Sequence, residues 1–177
     1  MTIRIRDAAL TDLPAITEIY RESVLNGIGT YELEAPSEIE MTARFAAITG
    51  QNYPYLVAES EHGTVLGYAY ASAFRTRAAY RYLAEDSIYV AADARGMGVG
   101  ALLLGRTAEL GIRQMIAVIG GANPASVALH EKAGFQHTGR LPATGLKFGT
   151  WVDTVLMQLE LGEGVGTIPT QEPKLKS

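Results

Sequence analysis

The segment EDSIYVAADARGMGVGALLL, residues 85–104, combines two adjacent carboxylates, an apolar run, an arginine and glycines at 96, 98 and 100. Glycine lets a backbone approach a ligand closely, and the free N–H groups at the start of a helix, aided by its dipole, attract phosphate. A glycine loop that feeds an apolar helix therefore reads as a cradle for a pyrophosphate. The alternative is a flexible turn, but each glycine placed inside a helix would cost about 1 kcal/mol. Gly96, Gly98 and Ala101 also satisfy the dinucleotide-binding pattern G-x-G-x-x-G/A. Context excludes that reading, because AADAR separates the strand from the first glycine and no acidic residue ends the next apolar run, MIAVIGG. A Walker A loop is excluded as well, since no Gly-Lys-Ser/Thr follows.

The elements that must position this loop follow from periodicity. TIRIRDA alternates as an opening strand, and Leu13, Ile16, Ile19 and Tyr20 recur at helical spacing between a Thr11 cap and a stop at Gly27. A second helix begins at Ser37 and Glu40, which stand in capping-box relation, and is preceded by a loop too long for a mere connector. YLVAE and TVLGYAYAS, split by SEHG, predict a hairpin, and DSIYVA a further strand after the unpatterned stretch AFRTRAAYRYLAE. Beyond the glycines, Ala101, Leu104, Gly105, Ala108 and Ile112 form one helical stripe, followed by the buried-strand run MIAVIG. NPASVALHEKAGF has an Asn cap, Pro at the first helical position and Gly134 at the stop. WVDTVLMQLEL ends the pattern as a strand, and the tail from Gly162 has so few large apolar residues that disorder is expected. The order β-α-α-β-β-β-α-β-α-β-β, with no repeat and no linker, predicts one α/β domain on a mixed sheet.

Composition removes several classes of function. The chain of 177 residues has no cysteine, which rules out disulfides, a thiolate nucleophile and thiolate metal sites. A formal charge of −4 with no basic run argues against nucleic acid as a partner. No apolar run approaches the roughly 20 residues needed to cross a bilayer, and the N-terminus alternates where a secretory signal would be continuously apolar. No membrane association and a cytoplasmic location are expected.

Arg95, Gly98 and Gly100 match the R/Q-x-x-G-x-G/A signature that resembles the acetyl-CoA loop of the GNAT acetyltransferases, and NPASVALHEKAGF resembles that family's N-x-x-S-x-x-L-Y/H-E-K-x-G-F segment. AEDSIYV, the histidine of LHEKAGF and GLKFGTWVD narrow the resemblance to the phosphinothricin and methionine sulfone/sulfoximine acetyltransferase group. The resemblance implies the GNAT fold over residues 1–161, α/β (α+β), with a single mixed, mostly antiparallel twisted sheet of about seven strands flanked by four helices. It also implies acetyl-CoA as cosubstrate, no metal, a small amino-acid-like acceptor and a homodimer.

Acetyl transfer to an amine needs the neutral amine, which is scarce at neutral pH, so a base is required. Glu85 matches the family's proposed base, acting directly or through water, with Asp86 as the lesser rival; partial burial would raise its pKa usefully. A surface carboxylate is the alternative. By the same resemblance Ile88, Tyr89 and Val90 would meet acetyl-CoA, Ile88 and Val90 through their main chain, one strand N–H polarising the thioester carbonyl. Arg95, Gly96, Met97, Gly98, Val99 and Gly100 would hold the pyrophosphate, with Arg95 adding charge if its side chain turns inward. Asn123 can cap its helix with one oxygen and still offer an amide donor to the pantetheine, and Ser126 can bond there too. His130 would protonate or merely position the departing thiol. Arg75 and Arg77, just ahead of Glu85, suit anionic oxygens of the acceptor or else line a solvated loop, and Tyr31, with Glu32, would cap the pocket. Lys147 and Trp151 are expected at the far wall or a subunit contact. Two rival functions stay open: a GNAT enzyme acting on a protein N-terminus, polyamine or aminoglycoside, and a non-catalytic acetyl-CoA sensor.

Overall fold

The computed structural model describes residues 2–173 and 175. Seven strands, β1 (Ile3–Asp7), β2 (Tyr55–Ser60), β3 (Val65–Ala73), β4 (Leu83–Val90), β5 (Gln114–Gly120), β6 (Gln136–Lys147) and β7 (Thr150–Glu160), form one sheet in the order β1-β2-β3-β4-β5-β7-β6. Every neighbouring pair is antiparallel except β4 and β5. Helices α1 (Leu13–Asn26), α2 (Glu38–Thr49), α3 (Val99–Thr107) and α4 (Pro124–Lys132) complete the expected order.

Strand alternation sorts the core between the two faces of the sheet. Leu13, Ile16, Tyr20 and Val24 of α1 and Met41 of α2 pack with Tyr55, Val57 and Tyr68. Leu56, Ala58 and Ala69, alternating with those strand residues, pack with Val99 and Leu103 of α3 on the opposite face. Among the described residues no helix is long and apolar enough to cross a membrane.

Several expected details come out differently. Thr11 does not cap α1; the chain enters through a 3-10 turn, and the buried Asp12 instead accepts from Ala9 N–H and from the Arg6 guanidinium. The buried stripe of α3 is Val99, Leu103, Leu104 and Thr107, while Ala101 and Gly105 face outward. The helix stops at Thr107, so Ile112 reaches the core from the following loop rather than from the helix. Residues 162–173 form no helix or strand, but they are held to the domain. Arg113 pairs with Glu163 and donates to Thr167, Arg81 pairs with Glu172, and Tyr82 Oη donates to Gln171 O.

The long connection between α1 and α2 is clamped where it crosses the sheet. A Cβ on Gly120 would lie 2.7 Å from Gly29 O, and one on Gly121, at φ +64°, would lie 2.6 Å from the Ile28 side chain. A Cβ on Gly145 would lie 2.8 Å from the Tyr31 ring. Gly121→Ala is therefore expected to lower the unfolding free energy by about 2–3 kcal/mol, against about 1 kcal/mol for Gly63→Ala. Gly63 has φ +82° but open space around the missing Cβ, so urea unfolding of the two variants isolates the clamp. Equal losses would show that Ile28 yields without cost.

Candidate active site

β4 and β5 pair only from Leu83–Gln114 to Asp86–Ala117. Beyond that point β4 stays with β3 and β5 stays with β7, so the two strands part. The gap opens into a cleft of about 960 Å³ floored by residues 87–90 and 118–120. Direction along β4 is set by its ends: Ala91 N donates to Leu66 O on the β3 side, whereas Tyr82 O accepts from Arg113 and Gln114 N–H on the β5 side. Alternation then turns the peptide groups of Ile88 and Val90 into the gap. These are the main-chain groups that the family resemblance implied. Tyr89 also lines the cleft, although its peptide turns toward β3 and its ring is stacked on Tyr68 at 5.2 Å.

The glycine loop lies at one mouth of the cleft. Gly98, at φ +83°, is the N-cap of α3 and offers no side chain to its orphan N–H groups. A Cβ on Gly96 or Gly98 would meet nothing within 4 Å, while one on Gly100 would come 3.1 Å from Leu129 of α4. The result is an open backbone cradle with a helix N-terminus beneath it, which fits a pyrophosphate. Val99 contributes backbone only, its side chain being buried in the core. Met97 does not join the cradle: its side chain is exposed outside the cleft and its N–H points to Ala94 O. Arg95 lines the cleft, yet its Nη2 donates to Glu22 Oε2 of α1 at 2.5 Å.

α4 forms the opposite wall. Asn123 Oδ1 accepts from Ala125 N at 3.0 Å and Ser126 N at 3.3 Å, so the cap consumes the oxygen and leaves the amide donor for other use. His130 is buried, and both ring nitrogens are engaged. Nδ1 donates to Ser126 O at 2.7 Å, and Nε2 faces Asp86 Oδ2 at 3.0 Å. Burial alone would lower the imidazole pKa, but the hydrogen bond and charge of Asp86, with Ser126 O, together hold it above its ordinary value. With its nitrogens so occupied, His130 does not present the free N–H that protonation of a thiolate was expected to use.

Glu85 and Asp86 point to opposite faces of β4. Glu85 shares the α1/α2 face with Tyr89 and, across the strands, with Ser72 and Ile116. It is half-buried at the cleft, and burial first, then repulsion from Asp86, raise its carboxyl above the usual glutamate range, with Arg75 pulling the other way. Asp86, fully buried on the α3/α4 side, is flanked across the strands by Ala71 and Ala117.

Of the residues expected to bind the acceptor, Tyr31 lines the cleft, with its hydroxyl pinned among Thr154 Oγ1 at 2.7 Å, Asp153 O and Gly121 N. Glu32 is turned away to Tyr20 and Arg44. Arg75 is exposed over the Phe74 ring, within electrostatic reach of Glu85, and Arg77 is exposed; neither lines the cleft. Lys147 is fully buried rather than at an outer wall, its Nζ donating to Thr30 O at 2.8 Å, and that burial lowers its pKa. Sequence reasoning missed the tyrosine stack of Tyr55, Tyr68, Tyr70 and Tyr89 beside Glu85; the alternation in YAY was its signal.

Comparison with known proteins agrees with this arrangement. The family model described as an acetyltransferase (GNAT) domain matches residues 5–156. Phosphinothricin N-acetyltransferase of Alcaligenes faecalis is 48% identical over 163 residues, 89% of this chain and 82% of the relative. The L-methionine sulfoximine/L-methionine sulfone acetyltransferase of Pseudomonas paraeruginosa is 40% identical over 166 residues, 91% and 96% of the two chains. The crystal structure of a GNAT-superfamily phosphinothricin acetyltransferase from Sinorhizobium meliloti in complex with acetyl-CoA superposes with a TM-score of 0.93 at 60% identity, covering 97% of this chain and 95% of that one. A likeness of this extent, in sequence and in fold alike, makes the chain a member of the GNAT acetyltransferase family.

Proposed function

We propose that this acetyl-CoA-dependent N-acetyltransferase acetylates the α-amino group of a small amino-acid-like acceptor such as phosphinothricin, methionine sulfone or methionine sulfoximine, by direct transfer in a ternary complex. The observation that carries the reading is Glu85: a half-buried carboxyl with a raised pKa, at the point where β4 and β5 part, on the face away from Asp86. When bound, acetyl-CoA supplies the acetyl thioester. Glu85 takes the proton from the incoming ammonium, directly or through water, and the outward N–H of Ile88 donates toward the carbonyl oxygen as charge builds there. The α3 N-terminus with its glycines binds the pyrophosphate, and Asn123 and Ser126 flank the pantetheine. Arg75, already felt by the Glu85 carboxylate, supplies the cation for an anionic acceptor, which favours such acceptors over polyamines or aminoglycosides.

A homodimer through the β6–β7 hairpin belongs to the same proposal. Leu141, Leu146, Phe148 and Trp151 stand exposed on that hairpin, and apolar side chains so displayed favour burial against a second copy. A cytoplasmic location follows from the cosubstrate, a metabolite of the cell interior.

Glu85→Gln is expected to reduce kcat/KM by about 10²–10⁴-fold while leaving the Kd for acetyl-CoA unchanged. Because the active form of Glu85 is ionised and its pKa is raised, the acid limb of the wild-type pH–rate profile should lie above the ordinary glutamate value. The sign for stability is opposite: a raised carboxyl favours the folded state below its unfolded pKa and loses that contribution as pH rises through the folded one. At pH 7 Glu85→Gln should therefore melt no lower than wild type. Unchanged turnover would remove Glu85 as the base.

Thiol release from acetyl-CoA is expected with methionine sulfone, methionine sulfoximine and phosphinothricin, and not with an aminoglycoside or a lysine peptide. Arg75→Ala should raise KM for methionine sulfone by up to about tenfold, the loss of its attraction for the acceptor's anionic oxygens, with acetyl-CoA affinity intact. Turnover confined to the cationic acceptors would overturn the acceptor class and leave the fold and donor standing.

A further inference from the structure

α4 carries Asn123 and Ser126 to the cleft, yet little holds it there. Of its nine residues only His130 is buried; Val127 and Leu129 are partly so, and the rest of the helix presents alanines and charges to solvent. The His130 ring enters the α3/α4 face of the sheet where β4 and β5 make their last pair. Asp86 there has alanine on both sides, Ala71 of β3 and Ala117 of β5, which leaves room for an imidazole. The ring is wedged edge-on against Phe135 at 4.9 Å and fastened by Asp86 Oδ2 at 3.0 Å.

Both side chains of this pair are almost wholly withdrawn from water, at 4% exposure for His130 and 2% for Asp86. Asp86 Oδ1 has no hydrogen-bond partner among the described residues. Ionised, Asp86 thus depends on one charged neighbour, and Nδ1 of that neighbour is already committed as a donor to Ser126 O. A carbonyl can only accept, so if Nε2 also donates, to an ionised Asp86, the ring is an imidazolium. Among the described residues no other titratable or charged side chain acts on the ring. β3 and β5 contribute alanines, the loop after α4 contributes Phe135, and Glu131 and Lys132 of α4 are exposed.

We propose that Asp86 is a positioning residue for acetyl-CoA: through its ion pair with His130 it holds α4 against β4, so that cofactor affinity depends on the charge of a buried pair remote from the pyrophosphate cradle. The proposal rests on acetyl-CoA occupying the cleft. Its sign follows from linkage. A histidine whose pKa is raised on folding contributes its stabilisation fully below the unfolded value and loses it as pH rises through the folded one, so α4 loosens on the alkaline side.

The test is calorimetric titration of acetyl-CoA into wild type and Asp86→Asn across pH 6–9.5, with no acceptor present. An asparagine can still donate to Nε2, but only of the neutral ring, so shape is kept and the charge pair is lost. Wild-type Kd should weaken across the alkaline interval, whereas Asp86→Asn should bind about tenfold more weakly at pH 7 and show no change across that interval. The cofactor's own ionisations are common to both proteins and cancel in the comparison. Ring NMR of His130, in a His62→Gln/His137→Gln background that leaves one histidine, should report an imidazolium at pH 7 that deprotonates where Kd weakens. A neutral ring at pH 7, or equal Kd for both proteins at every pH, overturns the proposal. If Asp86→Asn does not fold, the ring titration set against wild-type Kd decides alone. Failure of wild type itself to bind acetyl-CoA would instead defeat the assignment of the cleft, and this proposal with it.

Discussion

A sheet in which six strand pairs run one after another has no reason to open in its middle unless one pair is made unable to continue. Here that pair is β4 and β5, the single parallel one, whose register ends at Asp86–Ala117 after four residues. Each strand past that point keeps a partner on its far side, so the parting costs only the hydrogen bonds of one edge, and those unmade groups become the binding surface. An α1–α2 loop laid over the end of β5, and held there by the absence of side chains at Gly120 and Gly121, lines one side of the opening. The α3 N-terminus and α4 flank it on the opposite face. The glycine loop, the peptide groups of Ile88 and Val90 and the Glu85 carboxyl are thereby brought to one place by a single interruption of pairing.

The same strand keeps two acids apart. Glu85 and Asp86 are neighbours in sequence, but the pleat sends one to the tyrosine-lined face with α1 and α2 and the other into the alanine-bordered pocket under α4. Their environments differ accordingly. Glu85 meets burial without a dedicated cation, with only Arg75 pulling the other way, and its proton affinity rises above that of an ordinary glutamate. Asp86 instead meets the His130 ring, 3.0 Å from its Nε2. Repulsion from Asp86 is the second cause of the rise at Glu85, so the buried acid also acts on the proton affinity of its neighbour at the cleft.

Much of this was legible in the sequence because it is written locally. The capping Asn123, Pro124 and the Gly134 stop, at φ +94°, lie within twelve residues and fix α4. The glycine loop announces its cradle in the same way. What escaped was written at long range. Arg95 was expected to add charge to the pyrophosphate site if its side chain turned inward, but it pairs with Glu22, 73 residues away; Lys147 was expected at the far wall or a subunit contact, but it donates to Thr30, 117 residues away. The stripe of α3 was misplaced by one position because the glycines obscure where the helix begins. The tail, whose composition suggests disorder, is held by Arg81, Tyr82 and Arg113, whose reach no periodicity predicts.

The choice of an ion pair rather than apolar packing under α4 has a physical logic of its own. A buried pair is seldom the most stable filling of a core, since desolvation offsets much of the attraction, and an apolar substitute of equal volume often does as well. Removing one partner, however, strands a charge, so the pair enforces one placement of the helix over all sliding alternatives. An apolar face tolerates such sliding, because hydrophobic contact is non-directional. A wall that carries Asn123 and Ser126 to the cleft is served by that direction more than by the last increment of stability. His130, fixed by Ser126 O on one nitrogen and Asp86 on the other, supplies direction from both sides of its ring.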